Sequence, residues 1–218
     1  KIYNYEEDRI SSNFIIMEFI EGVTCYDIDE RHKARTCELI FEYIFLSSYF
    51  GDVYHTDLHP GNLLCIPDGD DCRLGIIDFG MNLAANDDIR EFSHCMLNAL
   101  IEMDSEKNKE IDLVRHCVKV TKPEIEIDTL TKEQYVQLNS SLLDMIKSVG
   151  AGSLNERELH NLLKIARDTT MNPIVLSDDV VKYAMGLSML QSSALLLVND
   201  KLKLSKIIKK SLNAVMAY

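Results

Sequence analysis

Short hydrophobic runs and one long amphipathic segment dominate the N-terminal part of the chain. Residues 13–20 are apolar and β-branched, which predicts a buried strand that ends in an extended turn at Glu21 and Gly22. In residues 33–50, charged residues share one helical face while aliphatic and aromatic residues fill much of the remainder. This spacing predicts a mostly buried helix that ends at Gly51.

Two shorter apolar runs predict a β-hairpin. Residues 62–66 and 73–77 have the length of strands, and residues 67–71 between them read Pro-Asp-Gly-Asp-Asp. Pro and Asp-Gly are typical turn residues, so we expect residues 67–71 to form the turn of the hairpin.

Beyond residue 86 the hydrophobic positions recur at helical spacing, which predicts an all-helical block. Capping boxes precede two of its helices, at Thr131 with Gln134 and at Ser153 with Glu156. The predicted helices cover residues 87–103, 106–120, 132–148, 155–168, 178–198 and 202–216.

Composition narrows the class of protein. The 218 residues, 46% hydrophobic and 27% charged, suffice for one large domain or for a domain with an appendage. The net charge of −12 would repel a phosphate backbone, so we expect no nucleic-acid partner. The six cysteines include no Cys-x-x-Cys pair, which predicts reduced thiols in an intracellular protein without indicating the compartment.

The longest apolar stretch, residues 180–198, contains polar residues such as Lys182 and Gln191. This composition favours a buried helix over a membrane span, so no clear span is encoded. The last predicted helix is rich in lysine, which is typical of a solvated face. Association with a membrane through that basic face stays an alternative.

The candidate chemistry lies in residues 55–62, which read His-Thr-Asp-Leu-His-Pro-Gly-Asn, and in Asp78 sixteen positions later. Asp57 and Asn62 stand in an Asp-x4-Asn relation, and Asp78 follows an apolar strand and precedes Phe-Gly. Such a set suits phosphoryl transfer, because one carboxylate orients or deprotonates the acceptor. An amide and a second carboxylate then hold magnesium ions that bridge the nucleotide phosphates.

A zinc site is the alternative reading of the same loop. His55, Asp57 and His59 include a His-x3-His pair, which binds metals when it lies on a helix. Pro60 and Gly61 follow at once and favour a loop, so phosphoryl transfer is the preferred interpretation.

These motifs resemble the protein-kinase-like fold, and the His-x-Asp-x-His-Pro-Gly-Asn form is similar to its atypical branch. Two families share that form: the UbiB family of atypical kinase-like proteins, linked to ubiquinone biosynthesis, and the aminoglycoside and choline phosphotransferases. Residues 17–22 and 78–81, followed by an Arg90-containing helix and Asp104, look more like UbiB. Leu58 is more familiar from the phosphotransferases, which keeps that group as an alternative.

The resemblance implies an α+β fold: a mostly helical C-terminal lobe of a protein-kinase-like fold, with a short β-hairpin at the active site and the last small-lobe strand. Residues 1–22 would be the end of the small lobe and the hinge, and residues 23–218 the large lobe with a helical extension. The strand Lys and the Lys-x-Gly-Gln segment of a UbiB small lobe are not found before Asn13. We therefore expect the chain to be a fragment of a longer protein.

The resemblance also implies a nucleotide site made by four residues. Met17 would stand at the gatekeeper position, while the Glu18 carbonyl and the Ile20 amide would meet the edge of the adenine. Leu64 would form the floor of the adenine site.

For the catalytic chemistry, the resemblance implies that Asp57 is the catalytic-loop carboxylate, that Asn62 and Asp78 are magnesium ligands, and that His55 is a packing residue. We accordingly expect an ATP- and Mg²⁺-dependent phosphotransferase or ATPase. Its acceptor, a lipid, a small molecule or a protein, is not identified by the sequence. A small-molecule phosphotransferase and a non-catalytic kinase-like scaffold that binds partners on its helices are the alternatives.

Overall fold

The computed structural model describes residues 18–102, 112–119, 121–122, 126–150 and 175–217. Helices predominate among these residues and are mixed with short strands, in agreement with the predicted α+β class. The elements in chain order are β1 (Val23–Thr24), α1 (Glu30–Phe50), β2 (Val53–His55), β3 (Leu63–Asp68), β4 (Asp71–Ile76), β5 (Asn82–Ala84), α2 (Asp87–Glu102), α3 (Val114–Val118), β6 (Thr121–Lys122), a 3₁₀ turn (Ile127–Thr129), α4 (Lys132–Gly150), β7 (Val175–Leu176), α5 (Asp178–Leu197) and α6 (Lys201–Val215).

Helix α1 is the central element and begins three residues before its predicted start. The reason is Asp29, whose side chain accepts a hydrogen bond from the Arg31 amide at 3.0 Å and caps the first turn. The helix ends as predicted at Gly51, whose N–H donates to the Ser47 carbonyl. Its buried face packs against α6, β4, α5 and α2.

The predicted hairpin is present as β3 and β4, with β1 added to form a three-stranded antiparallel sheet in the order β1-β3-β4. Its turn is shorter than predicted. Only Gly69 and Asp70 lie between the strands, while Pro67 and Asp71 belong to them. Gly69 has a φ of 63°, and such a backbone at a two-residue turn matches the twist of the strands.

A second small sheet, which the sequence did not predict, borders the candidate catalytic loop. Strand β2 precedes the loop and pairs antiparallel with β5, so that Tyr54 lies opposite Leu83 and His55 opposite Asn82. Each strand has three residues, which is too short for an alternating pattern to be recognised.

The prediction of an all-helical block after residue 86 is wrong at one place, where β6 and β7 pair antiparallel. Strands of two residues carry no periodic signal of their own. Four of the predicted helices correspond to α2, α4, α5 and α6, and the Thr131–Gln134 capping box is formed, with hydrogen bonds of 2.8 and 3.2 Å. Within the predicted helix over residues 106–120, the described residues are helical only at Val114–Val118.

Some predictions fall outside the described residues. These are the helix over residues 155–168, the Ser153–Glu156 capping box and most of the strand over residues 13–20. The described end of that strand, residues 18–20, is not part of a sheet. The division into a hinge over residues 1–22 and a large lobe stays a prediction.

Helix α5 passes through both buried clusters of the fold. The first cluster is built from α1, α6 and the hairpin and includes Leu190 and Ala194 of α5. The second joins β2, α2, α3 and α4 and includes Val180 and Tyr183. Among the described helices, α5 is the one that is long and apolar enough to cross a membrane. Its packing against both clusters supports the predicted buried helix.

Candidate active site

His55 connects the loop at residues 56–62 to the strand end before Asp78. The ring is 1% exposed, and its Nδ1 accepts a hydrogen bond from the Asp57 amide at 3.1 Å. Because Nδ1 is the acceptor, Nε2 carries the proton and donates to the Ile77 carbonyl at 3.2 Å. The Phe79 ring lies against the imidazole, with centroids 4.9 Å apart. His55 therefore occupies a packing position, as the sequence predicted.

Asp57 and Asn62, which the sequence assigned to one site, are in direct contact. The Asn62 side-chain nitrogen donates to the Asp57 carbonyl at 2.9 Å and lies 3.5 Å from Asp57 Oδ2. A turn makes this contact, since the Asn62 amide also donates to the His59 carbonyl. Asn62 is 5% exposed, whereas 18% of the Asp57 side chain reaches solvent. The arrangement leaves the Asp57 carboxylate accessible to a substrate.

A backbone hydrogen bond at the neighbouring residue, Ile77, connects Asp78 to this pair. The Ile77 amide donates to the Asn62 carbonyl at 3.0 Å, so Asp78, the next residue, follows directly from the C-terminal end of the candidate catalytic loop. Asp78 has a φ of 58°, a left-handed conformation that Asp tolerates better than most residues. Its Oδ1 accepts a hydrogen bond from the Gly80 amide, and the side chain is exposed.

The donor set fits Mg²⁺ carried by a nucleotide. Among the described residues, no three His, Cys, Asp or Glu side chains converge on a common point that could hold a metal ion. Mg²⁺ in nucleotide sites needs only one or two protein ligands, because phosphates and water complete its shell. The Asn62 amide oxygen and the Asp78 carboxylate would be such ligands. Both ring nitrogens of His55 are already engaged, which removes it from the alternative zinc set.

Two of the four predicted adenine-binding residues, Ile20 and Leu64, lie at a glycine of β4. Gly75 pairs with Leu64 across the hairpin, and a Cβ at position 75 would lie 3.2 Å from Ile20 Cγ2 and 3.3 Å from Leu64 Cβ. The structure therefore brings Ile20 and Leu64 together. Glu18 is exposed beside them, and Met17 lies outside the described residues.

Gly75 and Gly22 allow the close packing of segment 18–22 on the hairpin, and the sequence reasoning did not single them out for it. A Cβ at Gly22 would lie 2.9 Å from the Cys65 carbonyl oxygen, so segment 18–22 approaches β3 more closely than a larger residue would allow. A glycine inside a strand was the available signal for Gly75, because such glycines mark places where another group comes close.

His59 is a further neighbour of Asp57 whose role the sequence left open. Its Nδ1 accepts a hydrogen bond from the Gly61 amide at 3.1 Å, which places the proton of the neutral ring on Nε2. Nε2 lies 3.8 Å from Asp57 Oδ2. The ring therefore presents a donor toward the carboxylate while remaining partly exposed.

The thiols beneath the site are not candidates for nucleophilic chemistry. Burial raises the pKa of both Cys25 and Cys37 to about 12, so that each is protonated at neutral pH. None of the five cysteines whose side chains the structure describes forms a disulfide bond. They serve as apolar residues of the core.

Comparison with known proteins identifies a domain family for the part of the chain that contains the site. Residues 4–112 match the ABC1 atypical kinase-like domain, a range that contains the catalytic loop, the hairpin and Asp78. An uncharacterized protein of Synechocystis sp. (strain ATCC 27184 / PCC 6803 / Kazusa) is 28% identical over 131 residues, which cover 54% of this chain and 31% of the relative. The chain thus spans about a third of that relative's length. The predicted kinase-like resemblance is confirmed at the level of this domain.

Proposed function

Since the chain belongs to the ABC1 atypical kinase-like family, we propose that it forms part of an ATP- and Mg²⁺-dependent phosphotransferase or ATPase. The observation that carries the proposal is the contact of Asn62 with Asp57, together with the backbone bond that joins Asn62 to the strand end before Asp78. An amide, an accessible carboxylate and a second carboxylate are three of the side chains that phosphoryl transfer uses.

In the proposed reaction, Asp57 is the base. Its carboxylate accepts the proton of the acceptor hydroxyl group while the hydroxyl oxygen bonds to the γ-phosphorus and the bond to the β–γ bridging oxygen breaks, which releases ADP. Water takes the place of the acceptor in ATP hydrolysis. A positioned base contributes about 10²- to 10⁴-fold to the rate, or roughly 3–5 kcal/mol of the barrier.

The remaining residues position the nucleotide. Mg²⁺, when bound with ATP, neutralises charge on the phosphates. We propose that Asn62 and Asp78 hold it, that Ile20 and Leu64 contact the adenine, and that Glu18 contributes its carbonyl at the adenine edge. The packing of Ile20 and Leu64 around Gly75 supports this placement.

Within the family we propose the UbiB branch, with its link to ubiquinone biosynthesis, on the basis of residues 17–22 and 78–81. Leu58 had favoured the small-molecule phosphotransferases. Its side chain is fully buried in the first cluster, so Leu58 does not itself contact an acceptor, and a small-molecule phosphotransferase stays the alternative. The acceptor is a lipid, a small molecule or a protein.

The test is ATP turnover and ATP binding by the full-length protein that contains this chain. Asp57→Asn keeps the backbone carbonyl that Asn62 binds but removes the base. We expect ADP release to fall by about 10²- to 10⁴-fold while the affinity for ATP stays within a few fold. Asp70→Asn is the matched control, because Asp70 is an exposed carboxylate in the hairpin turn and should leave turnover unchanged.

Two outcomes contradict the proposal. Turnover by Asp57→Asn at the rate of the unsubstituted protein would exclude Asp57 as the base. Binding of Mg²⁺ and ATP without any turnover would favour the non-catalytic scaffold instead.

A further inference from the structure

Helix α5 supports the catalytic loop from below, on both sides of Asp57. On the N-terminal side, a Cβ at Gly186 would lie 3.0 Å from Thr56 Cα and 3.3 Å from the His55 carbonyl oxygen. On the C-terminal side, the Ser193 hydroxyl donates to the Leu58 carbonyl at 2.8 Å. Positions 186 and 193 are two turns apart and so share one face of the helix.

Both contacts require the residue type that is present. Glycine in a helix interior costs about 0.5–1 kcal/mol relative to alanine, and here the atoms that a side chain would meet belong to backbone, which cannot rotate away. Ser193 is 0% exposed, and its hydroxyl is also 3.1 Å from the Met189 carbonyl of its own helix. The shorter bond is the one to the loop, and without it the Leu58 carbonyl would lose a buried donor.

In the resulting loop, the residues on both sides of Asp57 are buried while the Asp57 side chain remains partly accessible to solvent. Thr56 is 2% exposed and Leu58 is 0% exposed, and both lie against α5. Asp57 between them is held by His55 through its amide and by Asn62 through its carbonyl. The position of the Asp57 carboxylate therefore depends on how the backbone of residues 55–58 packs on α5.

We propose that Gly186 and Ser193 are positioning residues for the catalytic carboxylate, acting through the backbone of residues 55–58. This inference rests on the proposed function. It assigns a role in the chemistry to a helix outside residues 4–112, the range of the family match.

The first test compares two buried serines in the full-length protein. Ser193→Ala removes the hydroxyl from the loop. Ser211→Ala removes a hydroxyl of equal burial that donates at 3.1 Å to the Glu38 carbonyl of α1 and not to the loop. We expect kcat for ADP release to fall roughly 10- to 100-fold in Ser193→Ala, as for a displacement of about 1 Å, with KM for ATP nearly constant. Ser211→Ala should retain kcat.

Gly186→Ala is the second variant, and it keeps the inference testable if Ser193→Ala fails to fold. The higher helix propensity of alanine offsets part of the cost of crowding, so the variant should fold, while the added methyl group pushes against Thr56 and should lower kcat by a similar factor. Unchanged kcat in Gly186→Ala, or an equal fall of kcat in Ser193→Ala and Ser211→Ala, would overturn the positioning role.

Amide hydrogen exchange separates this inference from the proposed function, because it needs no turnover. The Asp57 and Asn62 amides are protected by His55 and by the His59 carbonyl. We expect Ser193→Ala to speed exchange at these two amides but not in α1. Ser211→Ala should leave exchange at the Asp57 and Asn62 amides unchanged. If this exchange pattern is found but the protein does not turn over ATP, the proposed function is refuted while the packing of the loop on α5 is confirmed. Unchanged exchange at Asp57 and Asn62 would refute the support itself.

Discussion

Replacing His55 with leucine removes the two ring hydrogen bonds that join the catalytic loop to the strand end before Asp78. Leucine is apolar and of similar volume, so the site stays filled. The Asp57 amide and the Ile77 carbonyl, which bind the ring at 3.1 and 3.2 Å, would be left without a partner. The perturbation therefore isolates the hydrogen bonds of His55 from its packing.

The expected cost follows from the burial of these groups. A buried polar group left unpaired costs about 1–3 kcal/mol. Asp57 and Ile77 are both only partly buried, so the lower half of the range, about 1–2 kcal/mol, applies to each group and the sum is about 2–4 kcal/mol. At about 2–4 °C per kcal/mol for a domain of this size, the Tm should fall by roughly 4–16 °C.

The assay is thermal unfolding followed by circular dichroism, with His116→Leu as the matched control. His116 Nδ1 lies 3.0 Å from Glu91 Oε1, but both side chains are partly exposed, so the pair contributes less than about 1 kcal/mol. Equal shifts of Tm in the two variants, or a shift below about 2 °C in His55→Leu, would refute the reasoning that His55 anchors the loop.

Three further outcomes are expected. Asp78→Ala should abolish the Mg²⁺-dependent part of ATP binding, measured by calorimetry with Mg²⁺ and with EDTA; a Mg²⁺-dependent gain equal to that of the unsubstituted protein would exclude Asp78 as a ligand. Gly75→Val should weaken ATP binding at least tenfold, because its side chain would collide with Ile20 and Leu64, which already lie 3.2 and 3.3 Å from a Cβ at this position, and would displace both; unchanged affinity would place the adenine elsewhere. Burial raises the pKa of Cys37 to about 12 in the fold, so its contribution to stability is present below pH 9 and is lost as pH rises toward 12. In Cys37→Ala, the fall in the free energy of unfolding above pH 9 should be shallower by up to about 1.4 kcal/mol per pH unit in urea titrations, and an unchanged slope would contradict this.

Much of the catalytic loop and its hairpin could be predicted because their signals are local. Asp57 and Asn62 are five residues apart, and a turn that brings such neighbours together needs no distant contact. Helix α1 carries charged residues on one face, α5 is apolar over most of its length, and Asp-Gly marks the hairpin turn. The same local reasoning failed for β2 and β5, whose three residues pair only because the chain returns to them.

By itself, therefore, the sequence determined the long helices, the hairpin and the order of the candidate catalytic residues, since all of these follow from spacing along the chain. Only the tertiary structure decided what surrounds them. The contact of Gly75 with Ile20 became visible only once segment 18–22 had packed on the hairpin, and that of Ser193 with the proposed catalytic loop only once α5 had packed against Leu58. Residues 135 positions apart leave no periodic trace of their contact, because burial in a shared core, and not local backbone geometry, brings them together.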